Sequence, residues 1–227
     1  MKNDTVTLES MSQAVWYNQW TLDKFEKFLH GDILEVGCGI GNFTGLLAKY
    51  GKIWTIDIDQ EYIKKTKLNK KINAGFGDIE KGKYFFKNKM FDSIVCLNVL
   101  EHIKDDNFAI KNLFALLKPG GKLILLVPAH QFLYGEIDRS IGHLRRYNKG
   151  DLTRLLEEAG FKILLSRKLN FLGALGWFIA GKILKEDIVK KGNIKIFNLV
   201  APFVLSVEDL FETPVGISIL IIAQKYD

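Results

Sequence analysis

Short apolar runs alternating with helical periodicities constrain this chain of 227 residues more than any other feature. Phe91 to Leu97 is apolar on both faces, as a strand buried within a parallel sheet requires. Further strand-like runs fall at Asp32–Val36, Ile53–Ile56, Asn73–Phe76, Lys122–Val127, Phe161–Arg167 and Gly216–Gln224. Helical patterns separate them. One runs from Phe43 to Tyr50, ended by Gly51, and a lysine-rich one follows the second strand. Another spans Asn107–Leu117, with apolar positions 108, 113, 116 and 117, and stops at Lys118-Pro119-Gly120-Gly121. A fourth, Asp151–Ala159, closes at Gly160. Met11–Leu29 reads as an amphipathic lead-in helix carrying Trp16, Tyr17 and Trp20. Repeated β-α units of this kind predict an α/β fold, a mostly parallel sheet with helices on both faces. Right-handed crossovers bring the strand-to-helix loops to one edge, so a site is expected at the ends of strands one, two, four and five.

Composition sets the class and little more. Hydrophobic residues make up 48% and charged residues 26%, the profile of a folded globular chain. Cys38 and Cys96 lie far apart in apolar surroundings, which suits a reducing compartment. The segment MKNDTVTLESMSQ has no apolar core of signal-peptide type, so a cytoplasmic location is expected. The net charge of +6 invites a nucleic-acid or membrane partner. Much of it comes from lysines between Lys64 and Lys89, without arginine and with few aromatics, and a solvated helix face accounts for that pattern. With four scattered histidines and no cysteine pair, no metal-ligand spacing is visible and no metal is expected.

Strand one runs into Glu35-Val36-Gly37-Cys38-Gly39-Ile40-Gly41, directly before a helix. Glycines there permit positive φ and close backbone approach to a ligand. Asp57 ends strand two, 20 residues after Gly37, where nucleotide-binding folds place a ribose-binding acid. A dinucleotide fingerprint would need its third glycine one residue later, at the position of Asn42. Glu35 would repel a pyrophosphate but could help to hold an ammonium group, directly or through water. A ligand with an amino-acid end is favoured.

The segment ILEVGCGIGNFT resembles the E/D-x-G-x-G-x-G motif of class I S-adenosylmethionine-dependent methyltransferases. TIDID, GDIE, FDSIVCLNVLEHI and LLKPGGKLILLVP match the family's later segments in order, over about residues 12–165. The resemblance implies a Rossmann-like, seven-stranded sheet with an antiparallel last strand and S-adenosyl-L-methionine as cofactor. It implies that Gly37, Gly39 and Gly41 line the methionine and ribose portions and that Asp57 takes the ribose hydroxyls. Ile58 and Ile79 would flank the adenine, Asp78 would accept from its amino group, and Asn98 would sit near the methionine end. Asp78 has a competing role as a turn cap. The single domain would comprise a lid helix (1–30), a cofactor-binding core (31–168), a helical cover for the acceptor (169–215) and a last strand (216–227). An NAD-dependent oxidoreductase and a non-catalytic nucleotide-binding module are the alternatives.

Because a sulfonium already activates the methyl group, the chain would mainly align the reactants and exclude water. Tyr17 and Trp20 are lid candidates, with ordinary packing as the competing account. The acceptor signal lies in a loop of roughly 20 residues from Pro128 to Tyr147, longer than most connections. Its segment Gly142-His143-Leu144-Arg145-Arg146-Tyr147 resembles one in a bacterial subgroup of these enzymes. Arg145 and Arg146 could grip an anionic acceptor bidentately, or pair with the chain's own acids. His143, His102 and His130 are candidate bases, and Tyr147 is a further candidate for contact with the acceptor. No Asp/Asn-Pro-Pro-aromatic tetrapeptide follows strand four, which argues against nucleic-acid bases as acceptors. A small-molecule, lipid-linked or sugar-linked acceptor remains, methylated on O or N. The apolar stretches Phe171–Leu184 and Ile194–Val207 are too short to span a bilayer, so they form buried helices or rest on a membrane surface.

Overall fold

The structure, a computed structural model, describes residues 12, 14–188 and 191–226. Its strands are β1 (Asp32–Val36), β2 (Lys52–Asp57), β3 (Asn73–Asp78), β4 (Lys83–Tyr84), β5 (Phe91–Leu97), β6 (Leu117–Pro128), β7 (Phe161–Leu169) and β8 (Ser218–Lys225). They form one sheet in the order β4-β3-β2-β1-β5-β6-β8-β7. β1, β2, β3, β5 and β6 pair in parallel, while β8 inserts antiparallel between β6 and β7. The sheet is therefore mostly parallel with an antiparallel last strand, as expected. It gains an eighth strand, because the two-residue β4 folds back antiparallel on β3 and is too short to leave a periodic signal.

The main helices are α1 (Val15–Asp23), α2 (Thr44–Leu47), α3 (Gln60–Thr66), α4 (Asp106–Leu116), α5 (Glu136–Ser140), α6 (Lys149–Glu158), α7 (Phe171–Trp177) and α8 (Lys191–Glu208). They cover both faces of the sheet, and strand alternation decides which residues each face buries. Ile94 and Cys96 of β5 face α4 and α6, whereas Val95 faces the side of α1 and α8. Both layers are fully apolar at these positions, which explains the unbroken hydrophobic run. Burying each such Ile or Val contributes about 1.5–3 kcal/mol.

Several expectations shift in detail. The helix after β1 is one turn, Thr44–Leu47, instead of Phe43–Tyr50. α4 begins where Asp105 caps it, its carboxylate accepting from the Phe108 amide at 2.9 Å. Its buried face is Ala109, Ile110, Leu113 and Leu116, so Phe108 lies on the exposed side. The lead-in helix ends at Asp23 and is followed by a 3₁₀ turn over Glu26–Phe28, while its expected start, Met11, falls outside the described residues. The loop after β6 folds into a 3₁₀ turn (Gln131–Leu133) and α5. α7 continues as a π-helical segment, Phe178–Ile183. Among the described residues no helix is long and apolar enough to cross a membrane.

Candidate functional site

The strand order reverses between β1 and β5, so the crevice for a ligand opens beyond the ends of β1, β2 and β5. Gly37, Gly39 and Gly41 all have positive φ, at 76°, 49° and 91°. Gly37 has a second constraint, since a Cβ there would lie 2.3 Å from Val99 Cγ2. Its amide still extends the ladder, donating to the Ile56 carbonyl at 2.8 Å. Asp57 closes the turn from β2. Its Oδ2 accepts the Gly39 amide at 2.9 Å and its Oδ1 the Asp59 amide at 2.8 Å. Burial raises the Asp57 pKa, against the pull of these N–H bonds.

Glu35 is buried and accepts the Thr44 hydroxyl at 2.7 Å. Burial pushes its carboxyl up to about 7. This acid braces β1 against α2, so any help that it gives a ligand's ammonium group would run through water or the turn that it supports. Ile58 lies exposed at the tip of β2 and Asn98 exposed beyond β5, the latter at φ 53° with its amide bonded to the Leu126 carbonyl. Asp78 accepts the Lys81 amide and pairs with the Lys81 ammonium, both at 3.0 Å, so it caps the turn into β4. Ile79 is only 5% exposed and packs into the core cluster of α4.

Of the two accounts of Tyr17 and Trp20, lid and packing, the contacts match packing. Trp20 is 5% exposed, and its indole donates to Asp209 at 3.1 Å. Tyr17 stacks on Trp20 at 5.7 Å and meets Phe197 of α8 edge-on at 5.5 Å. Both rings pin α1 to α8 as packing residues.

The loop from Pro128 to Tyr147 is held by ion pairs within the chain, the second of the two accounts of its arginines. Arg145 donates to Asp106 at 2.8 Å and to the Lys104 carbonyl at 2.9 Å. Arg146 is buried, donating through Nε to Asp138 at 2.8 Å and through a terminal nitrogen to the Ala129 carbonyl at 3.1 Å. Its guanidinium lies over the Trp177 ring, whose indole also donates to Asp138. Tyr147 donates its hydroxyl toward Asp106 and the Leu100 carbonyl. His130, at φ 61°, stacks near Phe132, and burial lowers its pKa.

His143 comes to the adjacent pair Glu101-His102 from 41 positions away in the sequence. His102 and His143 meet edge-to-face at 4.9 Å between ring centroids, and His143 Nε2 lies 3.6 Å from Glu101 Oε1. His143 Nδ1 bonds to Asp138 at 2.8 Å and His102 Nδ1 to the Gly142 carbonyl at 3.2 Å. Burial works against ionisation of Asp138, but the hydrogen bond from His143 and the Arg146 charge outweigh it and hold its carboxyl at about 2. Burial pushes Glu101 up to about 7, and crowding of the inner side of the His102 ring by protein atoms, with His143 beside it, pushes His102 down to about 4 although its outer side faces solvent. Asp138 gave no recognisable signal in the sequence, since an acid within a long loop is unremarkable until the fold closes it onto Arg146 and His143.

A family model described as a methyltransferase domain matches residues 17–166. An uncharacterized protein of Methanocaldococcus jannaschii is 32% identical over 172 residues, covering 74% of this chain and 71% of that one. The ubiquinone biosynthesis O-methyltransferase of Coxiella burnetii is 41% identical over 100 residues, or 40% of this chain, and the match spans about two fifths (41%) of that relative's length. Among solved structures, an N-methyltransferase from Bradyrhizobium japonicum in complex with S-adenosyl-L-homocysteine aligns at TM-score 0.58 and 19% identity, covering 92% of this chain and 85% of that one. A strand-tip acid locked onto a positive-φ glycine turn is thus found on the same fold and within the matched segment, and the chain belongs to the methyltransferase domain family.

Proposed function

We propose that this chain binds S-adenosyl-L-methionine across the tips of β1 and β2 and transfers its methyl group to a hydroxyl or amine of a small molecule with an apolar portion. The observation that carries the cofactor is the Asp57–Gly39 hydrogen bond at the positive-φ turn. It presents a carboxylate for a sugar diol beside backbone that no Cβ obstructs. The cofactor supplies a methyl group already activated by its sulfonium. Gly37, Gly39 and Gly41 let the backbone approach the ligand, Asp57 orients its sugar, and exposed Ile58 offers an apolar surface for the base. Asn98 marks the side from which an acceptor approaches, next to the corner formed by Glu101, His102 and His143.

Two features favour an apolar portion in the acceptor. Phe171 together with Phe203, Val204, Val207 and Phe211 lines an open groove of about 590 Å³. The Coxiella burnetii relative is named for O-methylation in ubiquinone biosynthesis. An anionic acceptor loses its expected carriers, because Arg145 and Arg146 are committed to Asp106 and Asp138. Thermal denaturation with candidate cofactors tests the proposal. S-adenosyl-L-homocysteine is expected to raise Tm, and NAD is not. A rise with NAD alone would replace the proposal with an oxidoreductase.

A further inference from the structure

We infer that Glu101, His102 and His143 form a binding site for one divalent transition-metal cation. One donor atom from each of the three residues lies within 4.8 Å of the others. Glu101 is 0% exposed, and neither of its carboxylate oxygens has a hydrogen-bond partner among the described residues. The contact of 3.6 Å between Glu101 Oε1 and His143 Nε2 is too long for a hydrogen bond. It suits two ligands of one cation, since bonds of about 2.1 Å in a tetrahedral array separate the donors by about 3.4 Å.

The surroundings set both imidazoles in the ligand form. The Asp138 carboxylate can only accept, so His143 Nδ1 carries the hydrogen of their 2.8 Å bond and Nε2 presents its lone pair to Glu101. The Gly142 carbonyl likewise can only accept from His102 Nδ1, which leaves His102 Nε2 unprotonated. A carboxylate or carbonyl behind each ring is the usual way a protein orients metal-binding histidines. Charge agrees: with His143 neutral, as a metal ligand must be, Glu101 and Asp138 against Arg146 leave one negative charge, which a cation would meet. Two imidazoles and a carboxylate suit Zn²⁺, Co²⁺ or Mn²⁺ better than Mg²⁺. His102 is exposed, so a cation can enter from solvent, and three protein ligands leave a fourth position open. Cation binding here does not depend on the methyltransferase proposal.

The test is calorimetric titration of Zn²⁺ into the full chain after chelator treatment, paired with the visible spectrum of the Co²⁺ form. Wild type is expected to take up one equivalent and to show the d–d bands of a low-symmetry site. His102→Ala, which removes an exposed ring, and Glu101→Gln, which keeps the shape, should each weaken Zn²⁺ by about tenfold or more and bleach the Co²⁺ bands. His30→Ala, at an exposed histidine elsewhere, should change neither. No saturable uptake by wild type, or uptake equal in wild type and both site variants, overturns the inference. The first outcome would mean that Glu101 meets its charge with a proton.

Discussion

Asp57 Oδ2 accepts the Gly39 amide at 2.9 Å, so the acid at the tip of β2 and the glycine turn after β1 form one unit. Asp57→Ala is expected to weaken S-adenosyl-L-homocysteine by about 1–3 kcal/mol, through lost charge-assisted hydrogen bonds and a loosened turn. Calorimetry checks this, and an unchanged Kd would take Asp57 out of the site.

Gly37→Ala places a methyl 2.3 Å from Val99 Cγ2 at φ 76°. The left-handed backbone costs about 1–2 kcal/mol and the overlap about 1–3 kcal/mol more. A fall in Tm together with lost cofactor binding is expected. Gly45→Ala meets nothing within 4 Å and serves as the control.

Burial raises Glu35 to about 7 from an ordinary value of 4.5, so the native state holds a proton that the unfolded chain has released. Between those values the unfolded state binds fewer protons, and stability falls as pH rises. The loss from pH 4.5 to pH 7 is at most about 3 kcal/mol. Urea unfolding as a function of pH should show this slope in wild type and a flatter one in Glu35→Gln.

Arg146→Ala leaves Asp138 buried without its guanidinium partner. Breaking such a pair costs about 3–5 kcal/mol, so the variant should unfold at markedly lower urea concentration. Native stability combined with lost turnover would return Arg146 to the role of acceptor anchor.

Leu199, Phe203, Val207 and Leu210 are each more than half exposed along α8 and just beyond it. If this face meets lipid, the chain co-sediments with anionic vesicles and the double variant Phe203→Glu, Leu210→Glu stays in solution. Equal partition of both proteins would confine the apolar role to the groove.

The parts of the molecule legible in the sequence are those governed by local chemistry. Phe91–Leu97 gave β5 because both its faces are buried, and the three glycines marked positive φ before any coordinates. The long loop was visible as a loop, yet its two histidines and the Arg145-Arg146 pair could not be assigned from sequence. Whether Arg146 meets a ligand or Asp138 depends on where α5 packs, and no spacing encodes that. The same holds for His102 and His143, 41 positions apart and in ring contact. Trp20 was ambiguous for a related reason, because an aromatic on a lead-in helix looks the same whether it covers a ligand or packs on Asp209 at a distant helix end.

The insertion of β8 between β6 and β7 has a consequence for biosynthesis. Until residues 218–225 emerge, β6 carries an unpaired hydrogen-bonding edge and β7 has no sheet to join. Strands β1 to β6 can assemble while that apolar border stays open to aggregation. A nascent chain halted before Ser218 should therefore need chaperone protection that one extended past Lys225 does not.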